Sequence, residues 1–144
     1  MSTMDPESIV YGCIKDSIVG AGQGDRMRVN RDAMLSLPKA EQWPFLCQEM
    51  FSIPEPRLLS TNYQTEVMHF GASYKAVEYE WNQWIEQFEG LLSKMYWVSA
   101  TVHLETELYG THTFSWESSR NFHVPGSGDM LVQCQWSHED YLRA

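Results

Sequence analysis

The chain is short of cysteine, of basic residues and of long apolar runs, and each shortage excludes something. Its three cysteines, Cys13, Cys47 and Cys134, are odd in number and far apart. They form neither the even set of a disulfide-stapled domain nor a Cys-x-x-Cys pair for metal or redox work. Reduced thiols are the expectation, with Cys13 and Cys134 packed inside strands. No stretch approaches the roughly 18 consecutive apolar residues that mark a membrane helix. The opening Met1–Glu7 has no apolar core of the kind a signal peptide carries. A cytoplasmic protein with no membrane partner is therefore expected.

Basic residues are outnumbered: 10 Lys plus Arg stand against 19 Asp plus Glu, a formal charge of −9. Such a surface repels phosphate backbones and anionic lipid, so no nucleic acid is expected as a partner. It steers the approach of a basic one.

Catalytic signatures are missing too. Gly20-Ala21-Gly22-Gln23-Gly24 is spaced Gly-x-Gly-x-Gly, with no Gly-Lys-Ser/Thr after it and no convincing helix opening at Arg26-Met27-Arg28. It reads as a flexible loop, because a phosphate cradle needs a strand before it and a helix behind it. No Gly-x-Ser-x-Gly elbow occurs, and Ser/His/Asp or Cys/His sets can be drawn only among scattered residues. His69 and His123 read as structural or loop residues. No cofactor and no enzymatic activity are expected.

What the chain does have is aromatic rings: six Trp, seven Tyr and six Phe in 144 residues. A chain of that length buries a proper core without staples, so residues 1–144 read as one domain. The organising stretch runs from Tyr74 to Trp116. Tyr74, Val77, Trp81, Trp84, Phe88, Leu91 and Met95 step by three and four, which predicts one long amphipathic helix with Ser73 as its N-cap and Lys94 in its last turn. Ile85 and Leu92 widen the apolar stripe enough to pack on a sheet. The polar side carries Glu78, Asn82, Glu86 and Glu89, an acidic stripe that only Lys75 could balance, at its start. Such a stripe is either a solvated face or a docking surface for a basic partner.

From Ala100 the period changes to two. Ala100, Val102, Leu104, Thr106 and Leu108 alternate with Thr101, His103, Glu105 and Glu107. Tyr109-Gly110-Thr111 reads as a turn, and His112, Phe114 and Trp116 resume the apolar face. A three-residue loop, with Leu104 opposite Trp116, keeps both faces consistent. It gathers His103, Glu105, Glu107, Thr113, Ser115 and Glu117 on the polar side.

Elsewhere the reading is coarser. Ser8–Lys15 predicts a first strand. Asn30 is placed as the N-cap of a short helix over Arg31–Leu37, and Trp43–Phe51 as a second short helix. Ser52–Asn62 reads as loop, Glu66–Ala72 as a strand, Arg120–Asp129 as loop, Met130–Trp136 as the last strand, and the tail after it as a helical turn. The fold class that follows is α+β: a mainly antiparallel sheet of about five strands, with one long helix and one or two short ones packed on it.

The chemistry with the sharpest spacing is His103-x-Glu105-x-Glu107. Strand neighbours on one face stand about 6.5–7 Å apart, wide for ligands of one ion. A metal there would need Glu117 or His69 as well, and a carboxylate pair would need a cleft to raise one pKa. A small metal- or carboxylate-dependent enzyme using this face is the alternative. The leading expectation is a binding protein, for which Tyr79, Tyr96, Tyr109 and Tyr141 are candidate anchors.

The stretch Glu-Trp-Asn-Gln-Trp-Ile-Glu-Gln-Phe-Glu-Gly-Leu-Leu at residues 80–92, with Tyr96–Trp116 after it, resembles small immunity proteins of bacterial polymorphic toxin systems. These are the antidotes that accompany Rhs-type, type VI-secreted or contact-dependent toxins. The resemblance spans residues 66–117 and implies a cytoplasmic inhibitor of one cognate toxin domain, without enzymatic activity. Such toxins often have basic clefts, which suits the charge. The partner contacts expected on charge grounds are Glu78, Asn82, Glu86 and Glu89 on the helix, with His103, Glu105, Glu107 and Glu117 on the sheet. A phage or accessory adaptor domain is a third reading.

Overall fold

The computed structural model describes residues 6–17, 23–42, 45–52, 65–118, 121–128 and 130–137. Its elements are β1 (Glu7–Ser17), α1 (Gln23–Leu35), β2 (Thr65–Lys75), α2 (Trp81–Leu92), β3 (Ser99–Thr106), β4 (Gly110–Ser118) and β5 (Met130–Ser137), with short 3-10 turns at Ala40–Gln42, Gln48–Met50 and Val77–Glu80. The class is α+β. The strands form one sheet in the order β2-β1-β3-β4-β5, every described neighbour antiparallel. No helix among the described residues is long and apolar enough to cross a membrane.

Alternation divides the sheet into two unlike faces. Registers Val10↔Ala72, Val10↔Leu104 and Leu104↔His112 put even-numbered residues on one face of all the strands. On it Val10, Ile14, Met68, Phe70, Ala100, Val102 and Trp116 are buried beneath the helices. Trp84 and Phe88 of α2 meet Phe70 at 6.5 and 5.4 Å, and Phe88 meets the Trp116 ring edge-on at 5.1 Å. The odd-numbered face of β1–β4 lies away from this core.

Gly12 is needed where β1 crosses the middle of the sheet. A Cβ there would collide with the backbone carbonyl of Thr101 on β3 and stand 3.0 Å from the Phe70 ring.

The helix of the organising stretch is shorter than its periodicity predicts. Tyr74 and Lys75 belong to β2, because pairing with β1 runs out to Glu7↔Lys75. Ser73 is therefore a strand residue and caps nothing. Ala76 then takes a left-handed conformation (φ 54°, ψ 38°), Val77–Glu80 forms a 3-10 turn, and α2 starts at Trp81 with 12 residues. Lys94 and Met95 lie beyond its end. The apolar stripe is nonetheless buried at Val77, Trp84, Phe88, Leu91, Leu92 and Met95. The three-four spacing reports burial against one surface, and a 3-10 turn followed by a helix satisfies it as well as one helix does.

The largest correction is α1. It occupies Gln23–Leu35, where the sequence predicts a loop through Arg28 and a helix from Arg31. Asn30 sits in its middle, 1% exposed. Its amide donates to the Tyr96 carbonyl at 2.8 Å and accepts from the Tyr96 N–H at 2.6 Å. Arg26, one turn earlier, pairs with Asp16 at the end of β1, its guanidinium 4.2 Å from the Phe122 ring centre and 5.3 Å from that of Tyr96. Asn30 interrupts the buried apolar positions Met27, Ala33 and Met34 on the inner face of this helix, and Arg26 is turned inward beside them, so the apolar period is too broken to announce it.

Smaller differences follow. Of the short helix expected over 43–51, residues 43 and 44 lie outside the described residues, and the described remainder forms the 3-10 turn Gln48–Met50. Ser52 donates to the His69 carbonyl at 2.8 Å, placing this segment along β2. The β3–β4 loop has three residues, Glu107–Tyr109, two earlier than expected, and pairs Leu104 with His112 and Ala100 with Trp116. The shift is even, so both faces survive it. Gly110 has φ 80°, as a glycine at a turn can, but it opens β4. Cys134 is exposed, while Cys13 and Cys47 are half-buried. Most of the expected 52–62 loop and the tail after Ser137 lie outside the described residues, as does Tyr141.

Candidate functional site

Two tight turns meet at one end of the helix-covered face. The first is the 3-10 turn after β2. The Ala76 N–H donates to the Pro6 carbonyl at 2.8 Å, and the Val77 N–H to the hydroxyl of the fully buried Ser8 at 3.1 Å. Those bonds pin the turn to the start of β1. The second is the β3–β4 loop, closed by the Thr106 hydroxyl, which accepts from the Tyr109 N–H at 2.8 Å and donates to the Gly110 carbonyl at 3.1 Å. The tyrosines of the two turns touch, Tyr79 and Tyr109 packing edge-to-face with centres 6.5 Å apart and hydroxyls 3.3 Å apart.

Between the turns lies an open cavity of about 370 Å³. Glu78, Tyr79 and Trp81 line one side; Leu104, Tyr109, His112 and Phe114 line the other. Trp81 is fixed by stacking flat on the buried Trp84, centres 4.8 Å apart and planes at 6°, and it reaches Phe114 at 5.3 Å. Tyr79 is 63% exposed and Tyr109 46%, so two large aromatic side chains of the lining are open to solvent, with the exposed Leu108 next to Tyr109 in the chain. A space of this size is at the small end of ligand clefts, which span roughly 300–1,000 Å³. It suits one side chain or a small organic group.

The electrostatics are unusual in one respect. Both carboxylate oxygens of Glu78 are buried, and neither has a hydrogen-bond partner among the described residues. The ion pairs described are Arg26–Asp16 and Arg28–Asp25, and Lys75 is not placed against Glu78. The Trp81 indole N–H is likewise buried without an acceptor among the described residues. His112 titrates below its usual 6.5 because burial disfavours its cation, with the nearby Glu78 charge pulling the other way. Buried polar groups are normally satisfied, and a group that is not points to something the site is built to receive.

The eight expected contact residues are scattered by the fold. Glu78 is in the cavity, on the 3-10 turn and not on the helix. Asn82 and Glu86 are exposed on α2. Glu89 turns toward the sheet and accepts from the Trp116 indole at 2.8 Å. His103, Glu105 and Glu117 lie on the opposite face of the sheet from the helices. His103 contacts Thr113 at 3.0 Å and packs on Tyr11 at 4.9 Å. Glu107 has left that face for the β3–β4 loop, where its carboxylate accepts from the Glu7 N–H at 2.9 Å. One flat partner surface cannot cover α2 and the outer sheet face together. Nor does the triplet His103, Glu105 and Glu107 converge: no group of three His, Cys, Asp or Glu among the described residues is placed to hold an ion. His123, read as structural, is fully buried and meets the Met95 carbonyl at 2.8 Å, while His69 is exposed on β2.

Sequence reasoning named Glu78 for its charge, Trp81 for the apolar stripe and Tyr79 and Tyr109 as anchors, and placed His112 and Phe114 on the core face. It did not bring the six together. That needs the Ala76 turn and the register of the hairpin, and neither has a local sequence signal. Compared with known proteins, the chain matches no family model, no curated protein and no solved structure.

Proposed function

We propose that this chain is an immunity protein that binds a basic, secreted bacterial toxin domain and neutralises it by occluding its active site or substrate surface. The observation that carries the reading is the buried Glu78 carboxylate, without a hydrogen-bond partner among the described residues, in an aromatic cavity at one end of an acidic molecule. A net charge of −9 draws a basic surface in, and exposed Tyr79, Leu108 and Tyr109 around a concave site supply the apolar anchors that interfaces favour. The resemblance of residues 66–117 to polymorphic-toxin immunity proteins points to the same class of partner. In this reading the contact surface centres on the cavity end, with Glu78 and Glu107 close to it and the outer sheet face outside it.

The test is capture of the partner from the native cell with a tagged copy of the chain, followed by expression of that partner alone and together with this protein. A stoichiometric basic domain, lethal alone and harmless in company, supports the reading. A partner that is harmless alone removes the toxin and favours an adaptor.

A further inference from the structure

We infer that the cavity beside Glu78 receives an arginine side chain of the partner, its guanidinium paired with the Glu78 carboxylate and lying against the aromatic walls. The inference rests on reading the chain as a partner-binding domain and names what that partner must present.

Three observations select this ligand. The acceptor is a carboxylate whose two oxygens are both buried and both without a hydrogen-bond partner among the described residues. A neutral ligand leaves that charge unpaired, and an anion is repelled by it. A planar guanidinium donates two parallel N–H bonds to a carboxylate, which a compact ammonium cannot do. The walls are the second observation. Tyr79, Trp81, Tyr109 and Phe114 present ring faces and edges around the space, and a weakly hydrated guanidinium stacks on such rings.

The third is the molecule's own use of the same chemistry at the other end of the same sheet face. There Asp16, 2% exposed, holds the Arg26 guanidinium, which lies over Phe122 and near Tyr96. A carboxylate and two rings thus hold an internal arginine. Around Glu78 the carboxylate and the rings recur, and no arginine among the described residues is paired with it. The neutral form of His112 that burial favours keeps a competing positive charge out of the cavity.

The test needs no toxin. The Trp81 indole N–H resonance of the intact protein is followed by NMR while N-acetyl-arginine amide is added, with the citrulline and lysine analogues as comparisons. The expected result is a saturable shift with arginine in the millimolar range, a several-fold weaker one with lysine and none with neutral citrulline. Glu78→Gln weakens arginine binding at least about tenfold, and Glu41→Gln, the same charge change at an exposed site, leaves it unchanged. Tyr109→Leu, also at an exposed position, weakens it by removing one wall. An equal response to citrulline, an equal response of Glu78→Gln, or no saturable shift overturns the inference. The two proposals fail separately. A captured toxin that binds Glu78→Gln as tightly as the parent chain sinks the arginine site and spares the function. Saturable arginine binding by a chain whose partner is not toxic sinks the function and leaves a guanidinium site.

Discussion

Replacing Glu78 by leucine is expected to make the free protein more stable while removing its binding. Leaving a buried polar group without a partner costs about 1–3 kcal/mol, and more when the group is charged. Both oxygens of Glu78 are in that position among the described residues. The compensation within reach is His112, and burial favours its neutral form, so the offset is small. Leucine removes the polar atoms and sets an apolar side chain against Trp81 and Phe114. The expected gain is about 1–3 kcal/mol, which for a chain of this size raises the melting temperature by roughly 2–4 °C per kcal/mol. Urea unfolding at pH 7.5 is the assay: the midpoint moves up and the slope stays, because the surface exposed on unfolding hardly changes. Glu78→Gln keeps two polar atoms in place and gains less. A leucine variant that unfolds at lower urea than the parent would refute the reasoning, since Glu78 would then be held by the fold. A site kept at a cost in stability is what a binding role predicts.

Four other changes probe the rest of the fold. Gly12→Ala forces a methyl against the Thr101 carbonyl, which cannot yield unless β1 parts from β3; a loss of about 3 kcal/mol or more in urea unfolding is expected. Ala76→Gly relieves a left-handed backbone but adds freedom to the unfolded chain, so a net gain between zero and about 1 kcal/mol is expected, whereas Ala76→Val should lower the melting temperature clearly. Asn30→Ala leaves the Tyr96 N–H and carbonyl without their partner and should cost about 2–3 kcal/mol, read by the same denaturation assay. Burial pushes the Tyr74 phenol up to about 12, a bond from the Trp84 indole partly countering it. The folded state therefore holds this proton more tightly than the unfolded chain. The stabilisation is complete below about pH 10 and is lost as pH rises toward 12, a fall of order 2 kcal/mol that Tyr74→Phe should flatten in alkaline unfolding.

The parts of this fold that could be read from sequence are those that apolar burial writes in a regular period. The β3 and β4 faces and the stripe from Val77 to Met95 were legible because each sets large side chains against one surface. Even a hairpin register displaced by four residues left the faces right, because the side-chain period of a strand is two. The parts that could not be read are held by polar groups. In α1 the buried Met27, Ala33 and Met34 are interrupted by Asn30 and accompanied by Arg26, residue types that ordinarily signal caps and solvent. The break at Ala76 is invisible because alanine is the strongest helix former and is not expected at positive φ. The cavity depends on the Ala76 break and on the hairpin register. Its members were individually noticeable, and their meeting was not.

The contrast between Asp16 and Glu78 also argues against a simpler account, in which the acidic stripe of α2 does the binding. Asn82 and Glu86 are exposed, where a charge interacts through water and contributes little beyond steering. Glu89 is already engaged with the Trp116 indole. Glu78 differs from all three, because both its carboxylate oxygens are buried and have no hydrogen-bond partner among the described residues. An arriving cation therefore meets a carboxylate with less hydration to surrender than an exposed one, so more of the cost of burying the charge pair falls on the cation. That asymmetry predicts a division of labour measurable on one partner. Neutralising Glu86 should slow association and alter its salt dependence, with dissociation unchanged. Neutralising Glu78 should speed dissociation and leave association nearly as it was. Stopped-flow and surface-binding kinetics on the two variants separate these outcomes, and equal effects on both rates would place the two carboxylates in one ordinary charged rim.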